Sequence, residues 1–165
     1  MTGAATVLAA LREAGAGPLF ANPGSTELPL LDALGGGDGP HLVLGLTEPA
    51  VTGMADGYAQ ASGGLGVACV HVQPGMANAL SGVLNAARAR VPMLVLVGQQ
   101  VQALLPGDPF LGGEVVGLAR PVAKHAEEVA RAADLPAALA RAMATALTPP
   151  CGPVVAGVGG HGPSA

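Results

Sequence analysis

The feature that most limits the fold is a set of short apolar runs that do not alternate. Gly66-Val67-Ala68-Cys69-Val70-His71-Val72, Val91-Pro92-Met93-Leu94-Val95-Leu96-Val97-Gly98 and Pro153-Val154-Val155-Ala156-Gly157-Val158 are largely apolar at successive positions. An extended chain of that kind needs cover on both faces, the condition of a parallel sheet with helices on each side. Residues 17–21, 41–46 and 121–124 read as further, shorter strands. Between the runs lie stretches of helical spacing: 2–14, 26–34, the segment opening at Glu48-Pro49 and closing at Ser62-Gly63-Gly64, 76–90, one turn at 114–118, and a long Ala-rich helix over 126–146 that tolerates Pro136. The expected fold is α/β, a three-layer α/β/α domain with a six-stranded, mostly parallel sheet. No repeat and no linker divides the chain, so residues 1–158 read as one domain and 159–165 as a flexible tail.

Composition narrows the function classes. Half the residues are apolar, but only 11% are charged, against about a quarter in ordinary soluble domains. A domain so poor in charge can hardly cover its own surface, which implies burial against another domain or subunit. The net charge is −4, the seven basic residues are scattered, and there is no Trp, one Tyr and two Phe. That argues against nucleic acid as a partner. No apolar run reaches the length of a membrane span. The N-terminal apolar patch lacks a preceding Lys or Arg and is cut by Arg12-Glu13, unlike a signal peptide. Cys69 and Cys151 are too few for a disulfide framework, so a reducing cytoplasm is expected.

Three strand-to-helix connections should lie along one edge of such a sheet: Asn22-Pro23-Gly24-Ser25, Thr47-Glu48-Pro49 and His71-Val72-Gln73-Pro74-Gly75. Strand ends of open α/β sheets are the usual place for ligands. Pro49 suits the first turn of a helix, so Glu48 falls at the junction, where the helix end favours a carboxylate and apolar neighbours favour a neutral acid. A group between those pulls suits proton sharing with a ligand. Ser25 and His71 are its candidate polar companions, and Gly24 and Gly75 permit close approach of backbone to ligand. Each also has a plainer reading: Glu48 as a first-turn acid, Ser25 as a helix cap, His71 as a hydrogen-bonded strand-end histidine. Their joint placement favours a site. Other chemistries fail on context. Gly157-Val158-Gly159-Gly160-His161-Gly162 has dinucleotide-fingerprint spacing but no helix to follow it, no phosphate loop occurs, the four histidines lack metal spacing, and no G-x-S-x-G elbow supports a nucleophilic serine.

Asn22-Pro23-Gly24-Ser25 with Glu27-Leu28-Pro29, Glu48-Pro49-Ala50 with Ala55-Asp56-Gly57-Tyr58-Ala59, Pro74-Gly75 with Asn78-Ala79, and Gly98-Gln99-Gln100 recur in order. With them the chain resembles the N-terminal, pyrimidine-binding domain of thiamine-diphosphate enzymes, in the branch of benzoylformate decarboxylase and acetolactate-synthase-like proteins. The resemblance implies the thiamine-diphosphate-binding fold. It implies that Glu48 hydrogen-bonds the cofactor's aminopyrimidine, favouring the imino tautomer that deprotonates the thiazolium carbon, whose ylid attacks a 2-oxo acid. It implies that Ser25 and His71 contact the substrate carboxylate and move protons, as in benzoylformate decarboxylases, whereas acetolactate synthases generally lack that histidine. Pro23, Gly24, Gly75 and Asn78 would shape the pyrimidine pocket. The family's diphosphate-binding domain, with its Gly-Asp-Gly motif for Mg2+, has no counterpart here. The resemblance therefore implies half a cofactor site: no metal bound by this chain, a diphosphate-binding domain or subunit as partner, a homo-oligomer such as a dimer, and no activity for the chain alone. Alternatives of the same fold are an acetolactate synthase-like carboligase domain and a non-catalytic nucleotide-binding or assembly module.

Overall fold

Thr2 accepts the Ala5 N–H on its hydroxyl and starts the first helix, α1 (Gly3–Glu13), which Gly15 ends in a left-handed conformation. The computed structural model describes residues 2–37 and 39–159. The chain continues through β1 (Leu19–Asn22), a 3₁₀ turn (Ser25–Glu27), α2 (Leu28–Leu34), β2 (Leu42–Leu44), α3 (Glu48–Ser62), β3 (Gly66–Val70), α4 (Val72–Ala89) and β4 (Met93–Gln99). It closes with α5 (Val115–Ala119), β5 (His125–Val129), α6 (Leu135–Leu147) and β6 (Pro153–Gly159).

The sheet runs β2-β1-β3-β4-β6-β5, and all five pairings are parallel, more uniform than the mostly parallel sheet expected. Alternate side chains of each central strand enter opposite layers. Ala68, Val70, Met93, Val95 and Val97 pack with Val51, Ala55, Met76, Ala79 and Val83 of α3 and α4. Val67, Cys69, Leu94 and Leu96 pack with Val7 and Leu11 of α1 and Leu139, Ala142 and Met143 of α6. Both faces are therefore core, which is why the strands read as unbroken apolar runs.

Several boundaries differ from the sequence reading. The strand expected at 121–124 lies at His125–Val129, and the helix expected from residue 126 starts at Leu135. β5 pairs only with β6 and forms the sheet's edge, where Glu127 and Glu128 are tolerated. Pro136 marks the true start of α6, because a missing N–H is harmless only in a first turn. α4 begins at Val72, ahead of Pro74, rather than at residue 76. Ser25 does not cap α2; it opens the 3₁₀ turn, with Gly24 at the cap position. Gly159, expected in the tail, closes β6, and the rest of that expected tail, residues 160–165, lies outside the described residues.

Cys69 is sealed in the core at 2% exposure, and burial, reinforced by the charge of Glu27, pushes its thiol far above the usual cysteine range. Cys151 is half-buried, and both thiols are free. Iodoacetamide at neutral pH is expected to alkylate Cys151 alone in the native chain and both cysteines after denaturation, read by intact mass.

Candidate active site

β1 lies between β2 and β3, so the chain leaves β1 to one side for β2 and returns to the other side for β3. Their carboxyl ends at Leu44, Asn22 and Val70 form a topological switch point, where doubly wound sheets open a crevice. The three connections singled out in the sequence leave from these ends and converge on one rim.

Glu48 is the first residue of α3, and Thr47 precedes it as the cap. It is recessed, at 9% exposure. Its oxygens are held separately: Oε1 accepts from Asn22 Nδ2 at 2.9 Å, and Oε2 accepts from Asn78 Nδ2 at 3.2 Å. The acid of one connection is thus clamped by Asn22 at the end of β1 and by Asn78 in the second turn of α4. Each carboxylate oxygen has two lone pairs, so both keep capacity for a ligand N–H. Asn78, expected on the pocket wall, serves as a donor to Glu48. Asn22 is a site residue that the strand reading had treated only as part of a turn. A Cβ on Gly75 would stand 3.5 Å from Glu48 Oε1, an ordinary contact, so this chain's own packing does not require glycine there.

A second cluster adjoins the first. His71 Nδ1 lies 2.8 Å from Glu27 Oε2 and 3.1 Å from Thr26 Oγ1. The Thr26 hydroxyl donates to Glu27 Oε1 at 2.6 Å, and the Gly24 N–H donates to Oε2 at 2.7 Å. The His71 ring lies over Gly24, where any Cβ would overlap it; glycine is required there by close approach. Ser25 is exposed, and no hydrogen bond ties it to His71 or Glu48. The hydroxyl that meets His71 is that of Thr26, in the 3₁₀ turn that follows Gly24. Pro23 is half-buried between Asn22 and Gly24. Glu27, buried at 4% exposure, was missed as a site residue. The available signal was a glutamate three residues after a cap position, the spacing at which a carboxylate returns to the cap N–H.

Val72, next to His71, has φ 45° although it is β-branched and fully buried. Such conformations cost about 1–3 kcal/mol and collect at functional sites. Behind Glu27 lies a cavity of about 220 Å³, walled by α1 residues with Leu30, Cys69 and Gly98. Glu48, Asn22 and Asn78 do not line it; their crevice is an open rim.

Comparison with known proteins agrees with this geometry. Residues 1–117 match the family model for the thiamine pyrophosphate enzyme N-terminal TPP binding domain. The chain is 37% identical over 155 residues to the acetolactate synthase large subunit of Haemophilus influenzae, covering 94% of this chain and 27% of that protein. It is 39% identical over 148 residues to benzoylformate decarboxylase of Pseudomonas aeruginosa, covering 87% of this chain and 27% of that protein. Among solved structures, the thiamine diphosphate-dependent 4-hydroxybenzoylformate decarboxylase of Rhodococcus jostii superposes with a TM-score of 0.91 at 34% identity, over 96% of this chain and 30% of that one. The chain thus spans 27% of the length of these curated relatives. With its all-parallel sheet, its switch-point crevice and the glutamate set there, the chain belongs to the thiamine pyrophosphate enzymes, as their N-terminal TPP binding domain.

Proposed function

We propose that this chain is the pyrimidine-binding half of a cytoplasmic thiamine-diphosphate-dependent 2-oxo acid decarboxylase of the benzoylformate decarboxylase type. The observation that carries the reading is the recessed Glu48, fixed by Asn22 and Asn78 at the rim. The fit to the cofactor rests on that donor set: a carboxylate oriented by two amides, each oxygen with a lone pair left, suits a ring that offers a nitrogen and an amino group. Glu48 would hold the pyrimidine end and share a proton at one of its oxygens, between the walls given by Pro23, Gly24 and Gly75. Thiamine diphosphate, when bound, supplies the electron sink for cleaving the bond to the carboxylate. His71 and Ser25 would meet the 2-oxo acid, His71 as the group that gives and takes a proton.

The diphosphate and its Mg2+ would be held by a separate diphosphate-binding domain or subunit, and the active form would be an oligomer. Support comes from the exposed apolar residues beside the site, Leu44 at 61% and Leu46 at 85%, which suit a covered surface. No described helix is long and apolar enough to cross a membrane. A second reading, an acetolactate synthase-like carboligase, is favoured by the Haemophilus influenzae relative; His71 weighs toward decarboxylation.

Calorimetry with thiamine diphosphate and Mg2+ should give weak or no binding to the chain alone and clear binding after a diphosphate-binding domain is supplied. The complemented enzyme should release CO2 from an aryl 2-oxo acid. Acetolactate formed from pyruvate, with the aryl substrate untouched, would replace the decarboxylase reading by the carboligase one.

A further inference from the structure

Only one nitrogen of His71 is engaged. Nδ1 meets Glu27 and Thr26, and among the described residues nothing hydrogen-bonds Nε2. Glu27 already accepts from the Gly24 N–H and the Thr26 hydroxyl. A buried carboxylate fed by N–H and O–H groups is an acceptor, so the proton between Glu27 and His71 belongs on Nδ1. A neutral imidazole protonated at Nδ1 carries its lone pair on Nε2. The ring has little room to slip, because it lies over Gly24 and its chain neighbour Val72 is locked in the core.

We infer that Glu27 is the positioning residue of His71: it holds the ring through Nδ1–H and so fixes Nε2 as the nitrogen that exchanges a proton with the ligand. A carboxylate that grips Nδ1–H sets the tautomer of an imidazole without reacting itself. The inference deepens the decarboxylase reading and rests on it for the identity of the ligand; the Glu27–His71 pairing itself does not.

The test uses the full chain labelled with 15N-histidine, with the His71 ring signals assigned by their loss in His71→Asn. In the neutral form of the imidazole, reached by raising the pH, the wild-type ring should show a protonated Nδ1 and an unprotonated Nε2. Glu27→Ala removes the carboxylate acceptor and frees the Thr26 hydroxyl to donate to Nδ1, so the tautomer protonated at Nε2 should gain. A lone pair on Nδ1 in the wild type would overturn the inference, and so would an unchanged tautomer ratio in Glu27→Ala. If that variant fails to fold, the wild-type spectrum decides alone. In the complemented enzyme Glu27→Ala should lower kcat/KM by about 10- to 100-fold, the usual cost of removing a group that orients a histidine. It should cost almost nothing further in a His71→Asn background. A full additional loss there would overturn the positioning role. Undiminished decarboxylation by His71→Asn would instead overturn the proposed function and leave the spectral result standing.

Discussion

Glu48→Gln in the complemented enzyme is expected to lose about 10²- to 10⁴-fold in kcat, the range spanned by a positioned proton-transfer group. The substitution keeps shape and size. It replaces one carboxylate oxygen by an NH2 group, which then faces an amide donor, Asn22 or Asn78. Asn78 is exposed, so it can turn its amide over and accept instead. Folding should therefore change by no more than about 1 kcal/mol. Steady-state decarboxylation beside a thermal melt separates the two effects, and a variant with wild-type turnover would remove Glu48 from the chemistry.

The second large effect concerns stability. Gly66→Ala should destabilise the chain by about 1–3 kcal/mol, the usual cost of overpacking, lowering Tm by roughly 2–12 °C at this domain size. Gly66 opens β3, and a Cβ there would fall on the backbone carbonyl of Ala55 in α3, with Ala59 beside it. Backbone cannot rotate aside, so α3 must shift, and Glu48 is carried at its head. Gly53→Ala supplies the contrast. Gly53 is on the outer side of the same helix with open space around it, and alanine there should stabilise by about 0.5–1 kcal/mol. Should Gly66→Ala melt with the wild type, α3 and β3 are not in close contact.

The strands that became the centre of the sheet were legible because burial on both faces leaves a direct mark, an unbroken apolar run such as Val67–Val70. The rim was legible because Pro49 and the turn residues at 22–24 mark where strands stop. β5 was not: His125-Ala126-Glu127-Glu128-Val129 looks helical when read locally. It becomes a strand through its pairing with β6, with Glu127 bound to Arg141 of α6. Glu27 escaped notice as a site residue for a related reason. Its hydrogen-bond partner is a histidine 44 positions away, and no local pattern announces a partner at that distance. Thr26, which meets His71, was overlooked because a 3₁₀ turn rotates side chains differently from an α-helix.

Both amides that grip Glu48 come from this same polypeptide. The acid is thus seated by this chain alone. Under the proposed function, a docking domain would have no carboxylate to re-aim; it would add an enclosure over Leu44 and Leu46 and hold the far end of the coenzyme, while the near end would meet a rim already in order.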